Sequence, residues 1–380
     1  MYLGFLTPEY PHSSTNASAG LGSSIKNMAT GLVNAGIEVT VFVYGQKTDN
    51  RFREEGINFH LIKQRNYRFL GWYLYRKHLQ AYLNKFIVSE KIDAIEAPDW
   101  TGITAFMQLK CPLVLRVHGS DAYFCHLEKR PQKKKNFWFE KTALKSANHL
   151  ISVSAFTAEK TQELFQLKKE IQVIPNAIDV NKFIPDQTKF EPDTILYFGS
   201  IIRKKGVLEL AHIFNLINQI KPNVKLSMAG RDVYDIKEGI PTSTIMKQKL
   251  SECANKMVEW KGMLPYDEIL DLIAAASVIA LPSYAEALPM TWIEAMAMEK
   301  ALVTSNIGWA REVMVNGETG YTVAPENHQE YAEKIIELLE NKKMAEKMGE
   351  AARKRVKQHF STEVVTRQNI YFYKQIITHT

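Results

Sequence analysis

Thr194-Ile-Leu-Tyr-Phe198-Gly199-Ser200-Ile-Ile-Arg203-Lys-Lys205-Gly206-Val207 reads as a short apolar strand, a glycine turn, a basic loop and the start of a helix. A strand feeding a helix in this way is half of a βαβ unit, and such units assemble into parallel sheets. Open parallel sheets bind ligands at the carboxyl ends of their strands, which is where this loop places Arg203 and Lys205. Positive charge there suits a departing diphosphate. A solvated basic turn is the plainer reading of the same residues.

Working outward, apolar strand candidates alternate with helical stretches along most of the chain. Tyr2–Leu6, Glu38–Val43, Ile57–Ile62, Ile92–Glu96, Pro112–Val117, His149–Val153 and Gln172–Ile174 form a first series. Thr194–Phe198, Val224–Met228, Met257–Trp260, Ser277–Leu281, Ala301–Thr304 and Gly320–Val323 form a second. At 380 residues the chain exceeds what one core usually serves. Two α/β domains are therefore expected, residues 1–184 and 185–360, divided at the turn-rich stretch from Pro175 to Pro192. The tail, residues 361–380, has helical periodicity and a capping Ser361, and is expected to pack back on the first domain.

The second half contains Pro282-Ser-Tyr-Ala-Glu286-Ala-Leu288-Pro-Met290-Thr291-Trp-Ile-Glu294-Ala-Met-Ala-Met298. Pro289 suits a helix start, so Glu286 lies in the loop before the helix and Glu294 inside it. Two carboxylates so spaced can accept hydrogen bonds from vicinal hydroxyls at two ends of one ligand, a sugar and a ribose. Two incidental surface glutamates are the alternative, weakened by the apolar helix around them. In the first half, Asn16-Ala-Ser-Ala-Gly20-Leu-Gly-Ser-Ser24 precedes a helix, and a glycine turn at a helix N-terminus suits phosphate. A turn needed only for chain geometry explains it equally. The dinucleotide fingerprint is absent, because Ile25 stands where its third glycine belongs.

The span Ala280–Ala297, together with Lys300–Gly308, Glu312, Asn316–Gly320, Ile174–Asp179, Lys205-Gly206 and Val117-His118-Gly119, resembles the retaining, family-4-type (group 1) glycosyltransferases. The resemblance covers nearly the whole chain in order. It implies a GT-B fold, two Rossmann-like doubly wound domains facing a central cleft. It also implies transfer of a sugar from a nucleotide diphosphate sugar, with a UDP-sugar favoured, to an acceptor hydroxyl with retention. Lipid-linked or cell-surface polysaccharide precursors are acceptors of this kind.

The resemblance assigns His118, Glu286 and Lys205 to the reaction centre, with Glu286 on the donor sugar and Lys205, helped by Arg203, on the diphosphate. Gly20, Gly199 and the backbone of Leu288, Met290 and Thr291 complete the donor cradle, and Glu294 takes the ribose. Ser200 stands where the family usually has arginine, Ala287 where a glycine commonly follows the first glutamate, and Ala19 where a second loop glycine is common. No Asp-x-Asp occurs, in keeping with a site that uses neither metal nor cofactor. A GT-B-fold sugar-nucleotide epimerase, or a silent nucleotide-sugar-binding relative, would share the donor residues. A glycosidase pair is not implied, since the second carboxylate goes to the nucleotide.

Composition is ordinary for a globular protein, 46% hydrophobic and 23% charged. Cys111, Cys125 and Cys253 are scattered, which argues against disulfides and structural zinc. The N-terminus lacks a signal-peptide pattern and no apolar run is long enough to span a bilayer, so a cytoplasmic location is expected. The net charge of +7 lies wholly in the first half: residues 1–180 carry 23 Lys and Arg against 16 Asp and Glu, the remainder 25 against 25. No nucleic-acid-binding signature accompanies it, which leaves an anionic membrane surface as the better partner. Lys129, Arg130, Lys133, Lys134 and Lys135, followed by Phe137-Trp-Phe139, are one candidate contact, with an ordinary solvated loop as the rival reading. The stripe Trp72, Tyr75, Leu79, Tyr82 and Phe86 is another, though such spacing more often marks core.

Overall fold

The computed structural model describes residues 1–16 and 20–378, so Ala19 of the first loop lies outside the described residues. Two compact units make up the chain: Met1–Ile178 with Phe360–Thr380, and Asp179–His359. Both are α/β, each with a sheet whose strands are interleaved with helices.

In the first unit the strands are β1 (Tyr2–Thr7), β2 (Glu38–Gln46), β3 (Asn50–Glu54), β4 (Ile57–Lys63), β5 (Ala94–Pro98), β6 (Leu113–Val117), β7 (His149–Ser152) and β8 (Gln172–Val173). They lie in the order β3-β4-β2-β1-β5-β6-β7-β8, parallel except for β3, which pairs antiparallel with β4. Sequence reading missed β3. Its residues, Asn-Arg-Phe-Arg-Glu, carry no apolar alternation, since an edge strand in solvent needs none. Two apolar layers fill the faces of this sheet.

The second unit holds β9 (Thr194–Phe198), β10 (Lys225–Ala229), β11 (Val258–Gly262), β12 (Val278–Leu281), β13 (Leu302–Ser305) and β14 (Tyr321–Val323). Their order is β11-β10-β9-β12-β13-β14, all parallel. Strand order reverses between β9 and β12, so the loops leaving those two strands diverge and open the crevice characteristic of doubly wound sheets.

The units divide after Ile178, earlier than the expected residue 184. Ile178 stays with the first unit because it pairs with the returning chain: its N–H donates to the Phe360 carbonyl at 2.8 Å and its carbonyl accepts from Thr362 at 2.9 Å. The final helix, Thr362–Thr378, then packs on helix Gly20–Asn34, where Gly31 leaves room for Thr366. Its buried face meets an ion pair in the core. Arg116 of β6 donates from Nε to Glu96 of β5 at 2.7 Å, and from Nη2 to Glu96 at 3.0 Å and to Asn369 at 2.5 Å. Nη1 donates to the Ile174 carbonyl at 3.2 Å, and the Tyr373 hydroxyl donates to Glu96.

No helix among the described residues is long and apolar enough to cross a membrane. The aromatic stripe of helix Gly71–Glu90 is mainly core: Tyr75, Leu79 and Phe86 are buried, and Trp72 and Tyr82 pack against the same cluster.

Glu96→Ala leaves the Arg116 guanidinium buried without its counter-ion, a loss of about 3–5 kcal/mol. Chemical denaturation monitored by circular dichroism should show the first unit unfolding at markedly lower denaturant. An unchanged midpoint would show that the C-terminal helix docks without help from the pair.

Candidate functional site

Two loops leave the second sheet at its switch point, and backbone contact locks them together. The loop after β9 runs Gly199–Gly206, with a short turn at Arg203–Lys205. The loop after β12 runs Pro282–Pro289 and ends at helix Met290–Ala297. Tyr284 N–H donates to the Lys204 carbonyl at 2.8 Å. Gly206 takes φ +70° and lies so close to the second loop that a Cβ would stand 1.8 Å from the Pro282 carbonyl oxygen. Only glycine allows both the left-handed backbone and the approach.

This junction brings together three residues singled out in the sequence. Lys205 Nζ donates to Glu286 Oε1 at 2.5 Å, with Glu286 itself 8% exposed. Glu294 follows inside the helix, half-buried. Burial pushes the Glu294 carboxyl up to about 7, against the opposing pull of a hydrogen bond from Tyr266 and the charge of Lys205. Gly199 takes φ +132°, and the space its missing Cβ leaves is bordered by Thr291, so the end of β9 adjoins the head of the helix. The first amides of that helix, at Met290 and Thr291, have no intrahelical acceptor and carry the positive end of its dipole. Leu288 is buried immediately before them.

Arg203 turns elsewhere. Its guanidinium forms a bidentate pair with Asp235 at 2.7 and 3.1 Å and a further bond to Glu238 at 2.9 Å. Two carboxylates balance its charge, so Lys205 is the cation of this loop that faces Glu286. Ser200 contributes its carbonyl, which accepts from Tyr197 at 2.7 Å. Sequence reasoning missed Tyr266, the first residue of helix Tyr266–Ala275, whose hydroxyl donates to Glu294 at 3.1 Å. No local pattern relates the two, since they lie on separate helices.

In the first unit, His118 directly follows β6 and its N–H donates to Asp99 Oδ1 at 3.0 Å. Burial, with the Arg116 cation behind it, pushes the His118 imidazole down to about 3, so the ring is neutral at physiological pH. Asp99 follows β5, is 1% exposed, and is pushed up to about 7 by burial; its Oδ2 has no hydrogen-bond partner among the described residues. The sequence carries Asp99 as an isolated acid with no spacing to mark it. Gly119, at φ +89°, has space only for hydrogen against the Phe124 ring, which fixes the turn after His118.

Gly20 opens helix Gly20–Asn34, and among the described residues nothing lies within 4 Å of where its Cβ would stand. No described neighbour requires glycine there. Gly22 N–H, one turn position on, donates to Glu9 Oε1 at 2.8 Å, so a carboxylate already sits at this helix N-terminus.

Residues 180–355 match the family model for glycosyl transferases group 1, and residues 18–182 that for Glycosyltransferase Family 4. A glycogen synthase of Mycobacterium tuberculosis (strain CDC 1551 / Oshkosh) is 27% identical over 285 residues, 72% of this chain and 66% of that enzyme's length. The sucrose-phosphate synthase of Thermosynechococcus elongatus has the same fold, with a TM-score of 0.77 at 19% identity over the full length of both chains. Anabaena Alr3699/HepE, solved in complex with UDP-glucose, superposes with a TM-score of 0.72 at 19% identity, covering 99% of this chain and 100% of that one.

Gly206→Ala should destabilise the second unit by about 2 kcal/mol or more, from backbone strain and the blocked approach to Pro282. Gly20→Ala should leave stability unchanged or slightly raised. Thermal unfolding of the two variants side by side checks this, and equal melting temperatures would refute the assigned role of Gly206.

Proposed function

Because the chain belongs to the group 1 glycosyltransferases, we propose that it transfers a sugar from a nucleotide diphosphate sugar, preferably a UDP-sugar, to a glycan hydroxyl, with retention and without a divalent metal. The observation that carries this reading is the Lys205–Glu286 pair at the head of the helix that bears Glu294. One site there offers a cation and helix amides to a diphosphate and two carboxylates to hydroxyls on either side of it.

In the proposed reaction the bond between the anomeric carbon and the diphosphate oxygen breaks, and a bond from that carbon to the acceptor oxygen forms. The departing diphosphate takes the bonding electron pair, and one of its oxygens accepts the proton that the acceptor hydroxyl gives up. The main catalytic requirement is stabilisation of charge developing on the leaving group. Lys205 and the amides of Leu288, Met290 and Thr291 supply it; Arg203, held by Asp235 and Glu238, supports the loop. Glu286 orients the sugar through its hydroxyls. His118, as a neutral imidazole, serves as hydrogen-bonding partner to the donor sugar rather than as a charge. Gly20, which opens its helix, would let a phosphate approach the backbone closely.

Donor preference is supported by the HepE complex with UDP-glucose, and a polysaccharide acceptor by the likeness to glycogen synthase. Incubating purified protein with UDP-, GDP- and ADP-sugars in the presence of a chelator, and following ligand-induced thermal shift and nucleotide release, tests the reading. One nucleotide series should stabilise the protein, by about 2.7 kcal/mol at 100 times its dissociation constant. Glu286→Ala and Lys205→Ala should abolish turnover in folded protein; normal turnover in either would end the assignment.

Glu294 gives a pH signature. Its carboxyl is pushed up to about 7 in the free protein, so below that pH it is protonated and a weaker acceptor for ribose hydroxyls. Nucleotide affinity should fall about tenfold as pH drops from about 8 to about 6, one proton being released on binding. Calorimetric titration of wild type against Glu294→Gln checks this, the variant having a flat profile.

A further inference from the structure

The two basic, aromatic clusters of the first unit are about sixty residues apart in sequence yet meet in space. Trp72, in the first turn of helix Gly71–Glu90, lies 5.9 Å from Trp138 and 5.0 Å from Phe139 of helix Lys134–Ser146. Phe106, from the segment between, packs on Trp138 at 5.0 Å and on Tyr73 at 6.1 Å. The core takes up the stripe itself, and apolar residues beside its start remain exposed. Phe69 is 72% exposed, Leu70 62%, Trp138 49% and Leu74 38%. Leu70 takes φ +49°, a left-handed conformation uncommon for leucine, and gains no burial by it.

Charge along the two segments that carry this patch has one sign. Residues 64–77 and 129–139 together contain nine Lys and Arg and no Asp or Glu. Some of these are spent internally: Arg76 is buried against the Gly102 and Trp72 carbonyls, and Arg130, contrary to a free-surface role, pairs with Asp121 and Glu128. Arg68, Lys129, Lys133, Lys134 and Lys135 are exposed, with no carboxylate partner recorded among the described residues. Lys135 lies over the Trp72 ring at 5.8 Å, and Arg68 over Phe69 at 5.4 Å, so the cations border the apolar side chains directly.

We propose that this patch docks the first unit on an anionic lipid bilayer, Phe69 and Leu70 entering the headgroup boundary and the lysines lying against the headgroups. Tryptophan suits that boundary, and long cationic side chains can keep their heads among phosphates while their stems follow apolar surface. A polyanion such as RNA would reward the cations and the rings but has no use for Leu70 and Leu74. Helices Gly71–Glu90 and Lys134–Ser146 lead through short connections into β5 and β7, so their N-termini stand at the carboxyl ends of the parallel strands. His118 stands at that end too. A lipid-borne acceptor would thus be presented at the functional end of this sheet, but the docking itself does not depend on the glycosyl-transfer reading.

Flotation of the intact protein, without nucleotide, on vesicles of phosphatidylcholine alone and of equal parts phosphatidylcholine and phosphatidylglycerol tests the proposal at low and raised salt. Binding should be confined to the anionic vesicles and fall with salt. Lys133→Gln/Lys134→Gln/Lys135→Gln should weaken it about tenfold or more. Phe69→Ser/Leu70→Ser should weaken vesicle binding while leaving binding to a polyphosphate probe, which has no bases to stack on Phe69, unchanged. All these substitutions are at exposed positions, and an unaltered melting temperature confirms folding. Absence of wild-type binding to anionic vesicles, or vesicle binding indifferent to Phe69 and Leu70, overturns the proposal; in the second case the lysines form a general polyanion site.

Discussion

An arginine that is 1% exposed must have every donor satisfied, and Arg116 governs the first unit for that reason. Its partner Glu96 comes from the neighbouring strand, but the remaining valences of the pair are filled by Asn369, Tyr373 and the Ile174 carbonyl. The C-terminal helix is thereby obliged to return to the unit where the chain began. The crossing segments around Ile178 and Phe360 are hydrogen-bonded to each other as a result. The same cation faces His118 and helps hold that imidazole neutral, so one buried charge serves both fold and candidate site.

Backbone proximity plays the corresponding part in the second unit. Strand order reverses between β9 and β12, which gives their loops a common crevice, and Gly206 against Pro282 fixes the distance across it. Lys205 and Glu286 meet because their loops do. Tight glycine contact recurs one strand over, where a Cβ on Gly230 would stand 1.8 Å from the Gly199 carbonyl oxygen. Precision in this site comes from main chain, which suits a ligand bound largely through phosphate and hydroxyl groups.

Much of this was legible from spacing alone. Thirteen strands follow from short apolar runs between turn residues, and the helix start at Pro289 and the positions of Glu286 and Glu294 follow from local rules. β3 escaped because a solvent-exposed edge strand leaves no apolar signature. The boundary at Ile178 escaped because it depends on pairing with Phe360 and Thr362, far along the chain. Tyr266 and Asp99 escaped for the same kind of reason, each acting on a residue of another element.

By itself, the sequence determined the two series of parallel strands, the glycines at the loop junctions and the order of the residues along the site, because each of these is set by neighbours within a few positions. Only the tertiary structure decided how the charges are spent. Arg203 and Lys205 are two residues apart and of one sign, yet one is balanced by Asp235 and Glu238 and the other meets Glu286. The lysine cluster and the aromatic stripe, similarly, became one surface only when Trp72 met Trp138. Electrostatics depends on distance through space and on burial, and neither quantity exists until the chain has folded.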